Sequence, residues 1–308
     1  MHMNKIKKSS ESRHSLIFYA FLFPAVFAFT MVIIIPFGMG FYYAFTDWTG
    51  DPTIPVVWRG FTNFQSVFKD STFLHSWIVT TAYALVNIVV LNIVAFLLAL
   101  LVTQKLKLLG FYRAAFFLPN LIGGLVLGYV WQFIFNNAIP AFGEASGLMW
   151  FYNNLFMANR YLAMLAMVIV GTWQYAGYIM MIYVAAIQGI PDSLIEAAEM
   201  DGATYGKIVG KIIFPLVAPA FTVSTFLALV NSYKQFDVNF ALTRGGPSGM
   251  FMGKAIMTTE LLAFNIYNTA FSFRQYAEGQ AKAIVFFLTL TVVALIQVYF
   301  NKRKEIEM

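Results

Sequence analysis

Six apolar stretches constrain this chain more than any other feature. They run from about Leu16 to Ala44, Trp77 to Val102, Ala114 to Phe135, Leu162 to Ile187, Leu216 to Val230 and Ala283 to Phe300. A bilayer core takes about 20 apolar residues in helical form, so each stretch is predicted to cross once, the fifth being short. Backbone polar groups in lipid must bond within their own segment, and helices satisfy them. The expected fold class is therefore an all-α membrane protein of about six transmembrane helices. Composition agrees: of 308 residues 60% are hydrophobic and only 11% are charged, whereas a water-facing domain carries about a quarter charged residues.

The basic residues give an orientation. One side receives Lys5, Lys7, Lys8 and Arg13, then Lys105, Lys107 and Arg113, then Lys207 and Lys211, then Lys302, Arg303 and Lys304. The other receives Arg59, Lys69, Arg160, Lys234, Arg244, Lys254, Arg274 and Lys282, spread over longer loops. The dense set hugs the span ends, which marks the cytoplasmic side. Both termini are then expected in the cytoplasm: a tail over residues 1–15, a transmembrane unit over 16–301 and a tail over 302–308. The first apolar run is too long for a secretory leader and reads as an uncleaved span. The net charge of +6 follows from this asymmetry, and no nucleic-acid partner is implied.

No catalytic or metal site emerges. The chain has no cysteine, and His2, His14 and His75 are scattered outside the apolar runs. An intramembrane enzyme would need a nucleophile with its base, paired carboxylates or metal ligands within the spans. The spans hold no Asp, Glu, Lys or Arg. Proton- and ion-driven carriers usually keep such groups at mid-membrane, so the energy source is expected outside this chain.

Neutral polar residues do fall in or beside the spans: Asn87, Asn92, Asn120, Gln132, Gln174, Tyr175, Tyr178, Asn231, Ser232 and Gln235. They suit either hydrogen bonds between helices or a cavity for an uncharged hydroxylated solute. Gly124 and Gly128 form a GxxxG pair, whose usual meaning is helix packing. Most tryptophans stand near span ends as interfacial anchors. Trp173 lies within the fourth run and needs another role.

The segment between the fourth and fifth spans, about 190–215, is the most patterned. Asp192 and Ser193 are predicted helix caps after Pro191. Residues Leu194 to Asp201 favour helix, and Gly202 is placed to end it. Tyr205, Ile208, Val209, Ile212 and Ile213 then mark one face of a second helix. Ala197 and Ala198 beside Glu196, Glu199 and Asp201 offer a small, acidic surface to a complementary partner. The run Gly202 to Ile208 is not a phosphate loop: it is one residue short between its glycines, and Ile208 stands where a magnesium-binding hydroxyl belongs.

Glu196-Ala197-Ala198, then Gly202, then Ile212-x-Phe214-Pro215 resembles the EAA motif of bacterial ABC-importer permeases, with Phe214 where the family has Leu. Ala241 to Pro247, Trp173 with Tyr178, Ile190-Pro191 and Gly279 to Ala283 resemble the sugar-importing, maltose-permease-like members, so the resemblance spans nearly the whole chain. It implies a permease subunit of a binding-protein-dependent ABC importer in the bacterial cytoplasmic (inner) membrane. A second permease, a cytoplasmic ATPase dimer holding ATP and magnesium, and an extracytoplasmic solute-binding protein would complete it. This chain would bind no cofactor and hydrolyse nothing. The resemblance implies ATPase coupling by Glu196, Ala197, Ala198, Asp201, Gly202, Ile212 and Pro215. It implies a cavity lined by Tyr175, Tyr178, Asn231, Ser232 and Gln235. The cargo is expected to be a sugar or oligosaccharide. Another small solute, such as glycerol phosphate, on the same machinery is the alternative, and a self-sufficient facilitator a further one.

Overall fold

The computed structural model describes residues 18–104 and 107–302. Several basic residues that set the predicted orientation (Lys5, Lys7, Lys8, Arg13, Lys105, Arg303 and Lys304) lie outside the described residues, as does the tail over 1–15. The helices are α1 (Phe18–Tyr43), α2 (Thr62–Lys69), α3 (Ser71–Val102), α4 (Leu109–Phe117), α5 (Gly124–Ser146), α6 (Met149–Asn153), α7 (Arg160–Gln188), α8 (Asp192–Met200), α9 (Tyr205–Leu216), α10 (Ala218–Tyr233), α11 (Leu262–Tyr267) and α12 (Tyr276–Lys302). Five of these are long and apolar enough to cross a membrane, and the pair α9–α10, bent by 70°, makes a sixth if counted as one span.

Each departure from the predicted spans has a local cause. The third stretch breaks at a 3-10 turn over Leu118–Leu121, where Pro119 supplies no amide proton to an α-helix. Helix resumes at Gly124 and runs on to Ser146. The fifth bends at Val217, flanked by Pro215 and Pro219, as expected where ring nitrogens interrupt the helical ladder. The last helix starts at Tyr276 rather than near Ala283, and so takes in Glu278 and Lys282. One small element was not anticipated: strands β1 (Ser248–Phe251) and β2 (Lys254–Met257) form an antiparallel hairpin. Its turn residues Met252 and Gly253 both have positive φ, the conformation that matches strand twist in a tight hairpin.

Helix α7 is central, with buried residues from Ala163 to Ile187. In lipid the apolar effect gives helices little reason to associate, so close approach through small residues matters more. A Cβ at Gly177 would overlap the Phe116 backbone carbonyl of α4, and one at Gly171 would stand 2.7 Å from the Tyr83 hydroxyl of α3. The GxxxG pair works in the same way. A Cβ at Gly124 would come within 2.7 Å of Asp237 Cβ, and one at Gly128 within 2.5 Å of Ala241 Cβ. Trp173 packs edge-on against Trp131 of α5, with centroids 5.6 Å apart. By contrast, α1 buries none of its apolar window and meets the bundle near its far end, through Phe37 on Phe287 and Gly40 beside Gln280.

The two ends of the bundle differ. At one end Leu91–Val102, the second half of α7, Ile208, Ile213 and Val217 share a core. At the other end, Lys282 Nζ donates to Asp70 Oδ2 (2.7 Å), Thr269 Oγ1 (2.8 Å) and Asn265 Oδ1 (3.3 Å). Burial opposes the charge on Asp70. The Lys282 ammonium and the Thr72 hydroxyl and amide outweigh it and hold the carboxyl below its usual range. The beginning of α1 and the end of α12 lie at the end that carries the α7–α9 connection: Gln297 Nε2 reaches the Thr222 carbonyl near the start of α10.

Two outcomes follow from this packing. Gly177→Ala forces α4 away from α7 and lowers stability by about 1–3 kcal/mol, read as a lower melting temperature in detergent; Gly210→Ala, with open space around it, leaves it unchanged. Asp70→Asn leaves Lys282, 2% exposed, without its closest carboxylate. The loss is about 2–3 kcal/mol, below the full value for a buried pair because Asp70 is partly exposed and Glu278 remains 3.6 Å away.

Candidate functional site

The connection between α7 and α10 folds as two helices about a glycine. Pro191 occupies the cap position in extended conformation, with no side-chain cap bond, and Asp192 is the first helical residue. The caps predicted at Asp192 and Ser193 thus move one position back, and the Asp192 carboxylate falls in the first turn, where the helix dipole favours it. The far end closes with two reversed bonds: Gly202 N–H to the Glu199 carbonyl (3.0 Å) and Ala203 N–H to the Ala198 carbonyl (2.9 Å). This Schellman arrangement requires a left-handed residue at its turn, and Gly202 has φ +79°. Thr204, extended, then opens α9, which loosens to a π turn over Val209–Ile213.

Burial sorts the predicted coupling residues into two groups. Glu196, Ala197, Asp201 and Gly202 are exposed, whereas Ala198, Ile212 and Pro215 are half-buried. Ala198 and Ile212, with Ile195, Ala203 and Val209, pack against the core at this end of the bundle. The second helix turns Ile208 and Ile213 fully inward. Only Ile195 and Ala198 of α8 are covered, and its open surface includes Ser193, Glu196, Ala197 and Met200, spaced at three to four residues along one face. Met200, 88% exposed, was not singled out from the sequence. It was visible only as a lone apolar residue between Glu199 and Asp201.

The five predicted cavity residues separate. Ser232, buried, accepts a hydrogen bond from Asn87 Nδ2 at 2.9 Å. Gln235 is buried, and with Tyr175 it lies close to Tyr83, one turn before Asn87 on α3. Asn87 Oδ1 has no hydrogen-bond partner among the described residues. Ser232, Gln235 and Tyr175 thus meet two residues of α3, Asn87 and Tyr83, and of these only Asn87 stands out in the sequence as an amide within an apolar run. Asn231 is half-buried. Tyr178 lies elsewhere, on a groove of about 650 Å³ shared with Arg113, Ala114, Phe117, Met181, Ile182 and Ala185. The cluster around Asn87 offers amide and hydroxyl groups, able both to donate and to accept. Asp237, which neighbours Gly124 and Tyr175, adds a carboxylate at its edge.

Beyond the cluster, the Gly-Gly-Pro segment is tied down on the side away from α8. Gly246–Pro247 is cis. Thr259 Oγ1 donates to the Gly246 carbonyl (2.6 Å) and Thr258 Oγ1 to the Pro247 carbonyl (2.7 Å). Asn239 bonds both the Thr259 carbonyl and the Leu261 amide. The hairpin borders a cavity of about 590 Å³ with His75, Arg160 and Tyr161.

Comparison with known proteins is consistent along the whole chain. Residues 105–306 match the family described as "Binding-protein-dependent transport system inner membrane component". A probable starch degradation products transport system permease protein, AmyD, of Thermoanaerobacterium thermosulfurigenes is 42% identical over 98% of this chain and 99% of its own length. The sn-glycerol-3-phosphate transport system permease protein UgpA of Agrobacterium fabrum is 31% identical, over 80% of this chain and 81% of its own. Among solved structures, a chain of a bacterial ABC transporter that imports the acidic polysaccharide alginate superposes with a TM-score of 0.76 at 19% identity, over 96% of this chain and 98% of that one. With the family pattern covering well over half its length, the chain belongs to the inner membrane components of binding-protein-dependent transport systems.

Proposed function

We propose that this chain is a permease subunit of an ATP-driven importer that moves a sugar or oligosaccharide into the cell, with residues 16–301 acting as one transmembrane unit. The observation that carries this reading is the exposed α8 elbow. A short helix with an open face of Glu196, Ala197 and Met200 ends at a left-handed glycine, while its other side is anchored in the bundle core. Such a part moves with the bundle and presents a small acidic surface to a neighbour. We assign that neighbour as the cytoplasmic ATPase, which holds ATP and magnesium. A second permease and an extracytoplasmic binding protein complete the machine. The α8 end of the bundle is then cytoplasmic, together with both termini.

Short glucose oligomers are the first cargo to test, because the 42%-identical relative is named for starch degradation products. The cluster of Tyr83, Asn87, Tyr175, Ser232 and Gln235 suits hydroxylated, uncharged cargo through exchanged hydrogen bonds. A glycerol phosphate cargo, suggested by the UgpA relative, would put an anion beside Asp237, an unfavourable pairing of like charges.

Gly202→Val places a β-branched residue at φ +79°, where such a side chain is strained. In membranes carrying the full assembly, we expect Gly202→Val to insert normally and to lose ATP-dependent maltotriose uptake at least tenfold. Unchanged uptake by that variant would remove the coupling role. Uptake of glycerol 3-phosphate in preference to maltotriose by the unaltered protein would replace the cargo and keep the machine.

A further inference from the structure

Three side chains on three different helices meet in the core between the α8 elbow and the Asn87 cluster. Tyr183 of α7 brings its hydroxyl to 2.6 Å from Asn92 Oδ1 of α3 and 2.5 Å from Ser224 Oγ of α10. Ser224 Oγ is itself 2.8 Å from Asn92 Oδ1. Asn92 Nδ2 is satisfied by the Ile88 carbonyl (2.8 Å). Tyr183 and Ser224 are fully buried, and Asn92 is 8% exposed. Two hydroxyl protons serve three oxygen–oxygen contacts, so at most two of them are hydrogen bonds at a time, with Asn92 Oδ1 always the acceptor. In a dry interior such a network is strong when complete and costly when opened.

Its position is as informative as its geometry. Tyr183 lies about one and a half turns before the end of α7, and Ser224 lies less than two turns after the start of α10. The triad therefore ties together the two helices that flank the elbow. Below it, aromatic rings continue to the elbow's own end. Phe214 of α9 packs on Phe221 (4.9 Å) and Phe96 (6.0 Å), and both pack on Tyr183 (4.7 and 5.5 Å). Phe214 is also the position where the sequence departs from the leucine of the EAA pattern, and only an aromatic ring makes this stack. Above the triad, Asn92 sits on the same helix as Asn87, five residues on, and Asn87 holds Ser232.

We infer that Tyr183 is a positioning residue for transport: with Ser224 and Asn92 it forms a hydrogen-bonded latch that makes α7, α10 and α3 move as one when the elbow moves. The inference rests on the transport reading above and extends it to residues that reading leaves out. Phe214 and the ring stack carry the elbow's displacement to Tyr183. The latch passes it to α3 and so to Asn87 and Ser232. Without the latch the elbow still docks and ATP is still hydrolysed, but α3 no longer follows.

The test uses the complete assembly, purified with its partner subunits and reconstituted in vesicles, with maltotriose as the probe and ATP hydrolysis measured alongside uptake. Tyr183→Phe keeps the ring stack and removes the hydroxyl. We expect it to assemble and melt within a few degrees of the parent, and to move about threefold or more less maltotriose per ATP. Ser224→Ala opens the triangle from the other side and is expected to give the same drop, with the double variant no worse than either single one. Should Tyr183→Phe fail to assemble, Ser224→Ala alone decides. Unchanged sugar-to-ATP ratios in the variants, or effects that multiply in the double variant, would overturn the latch while leaving the transport reading intact. Absence of ATP-dependent uptake in the parent assembly would overturn the transport reading, and the latch with it.

Discussion

Close approach of backbones along α7 is the constraint on which the rest of the structure depends. Lipid tails are as apolar as leucine, so burying leucine between helices gains little; van der Waals contact and internal hydrogen bonds must hold the bundle. Helix α7 meets that condition with Ala163, Ala166, Gly171, Ala176 and Gly177, all buried. The absent Cβ atoms at Gly171 and Gly177 admit Tyr83 of α3 and the Phe116 carbonyl of α4. Everything near α8 follows from this seating, because the elbow hangs from the end of α7 and returns into α10 across the same core.

Polar groups divide the interior into two levels with different consequences. At Asn92, Tyr183 and Ser224 the side-chain groups find partners within the chain, and such a network fixes geometry. At the level of Asn87 the balance is incomplete. The amide nitrogen holds Ser232, while the amide oxygen has no partner among the described residues. A buried acceptor left open costs about 1–3 kcal/mol. A donor brought within reach of that oxygen would recover the cost, so the level at Asn87 is the less settled of the two.

Much of this was legible in local sequence pattern, and the parts that were not share a cause. The elbow could be read because its signals are adjacent: a proline, a helix-favouring run and a glycine at the closing turn, realised as Gly202 with φ +79°. The packing role of Gly124 and Gly128 was also legible, although only the structure names Asp237 and Ala241 as their neighbours. The true start of the last helix was hidden because Lys282 looked too polar for a span, and the Asp70 carboxylate that pairs with it is more than two hundred residues away. The break at Pro119 was masked by unbroken hydropathy around it. Tyr83 escaped notice because nothing in its own stretch tells that Gln235 and Tyr175 will face it. Partners distant along the chain leave no local trace.

The chain has no cysteine, so Ala197→Cys puts a single thiol on the open face of α8, well away from every buried contact described above. Labelled with a maleimide-benzophenone and irradiated in native membranes, that position reports what sits against the elbow. A crosslink to the ATPase subunit is expected, identified by mass spectrometry, and none from a thiol at Met250 on the hairpin at the opposite end. A thiol at Ala197 that reacts freely and captures no ATPase, while the assembly is intact, would rule out the α8 elbow as the surface that meets the ATPase.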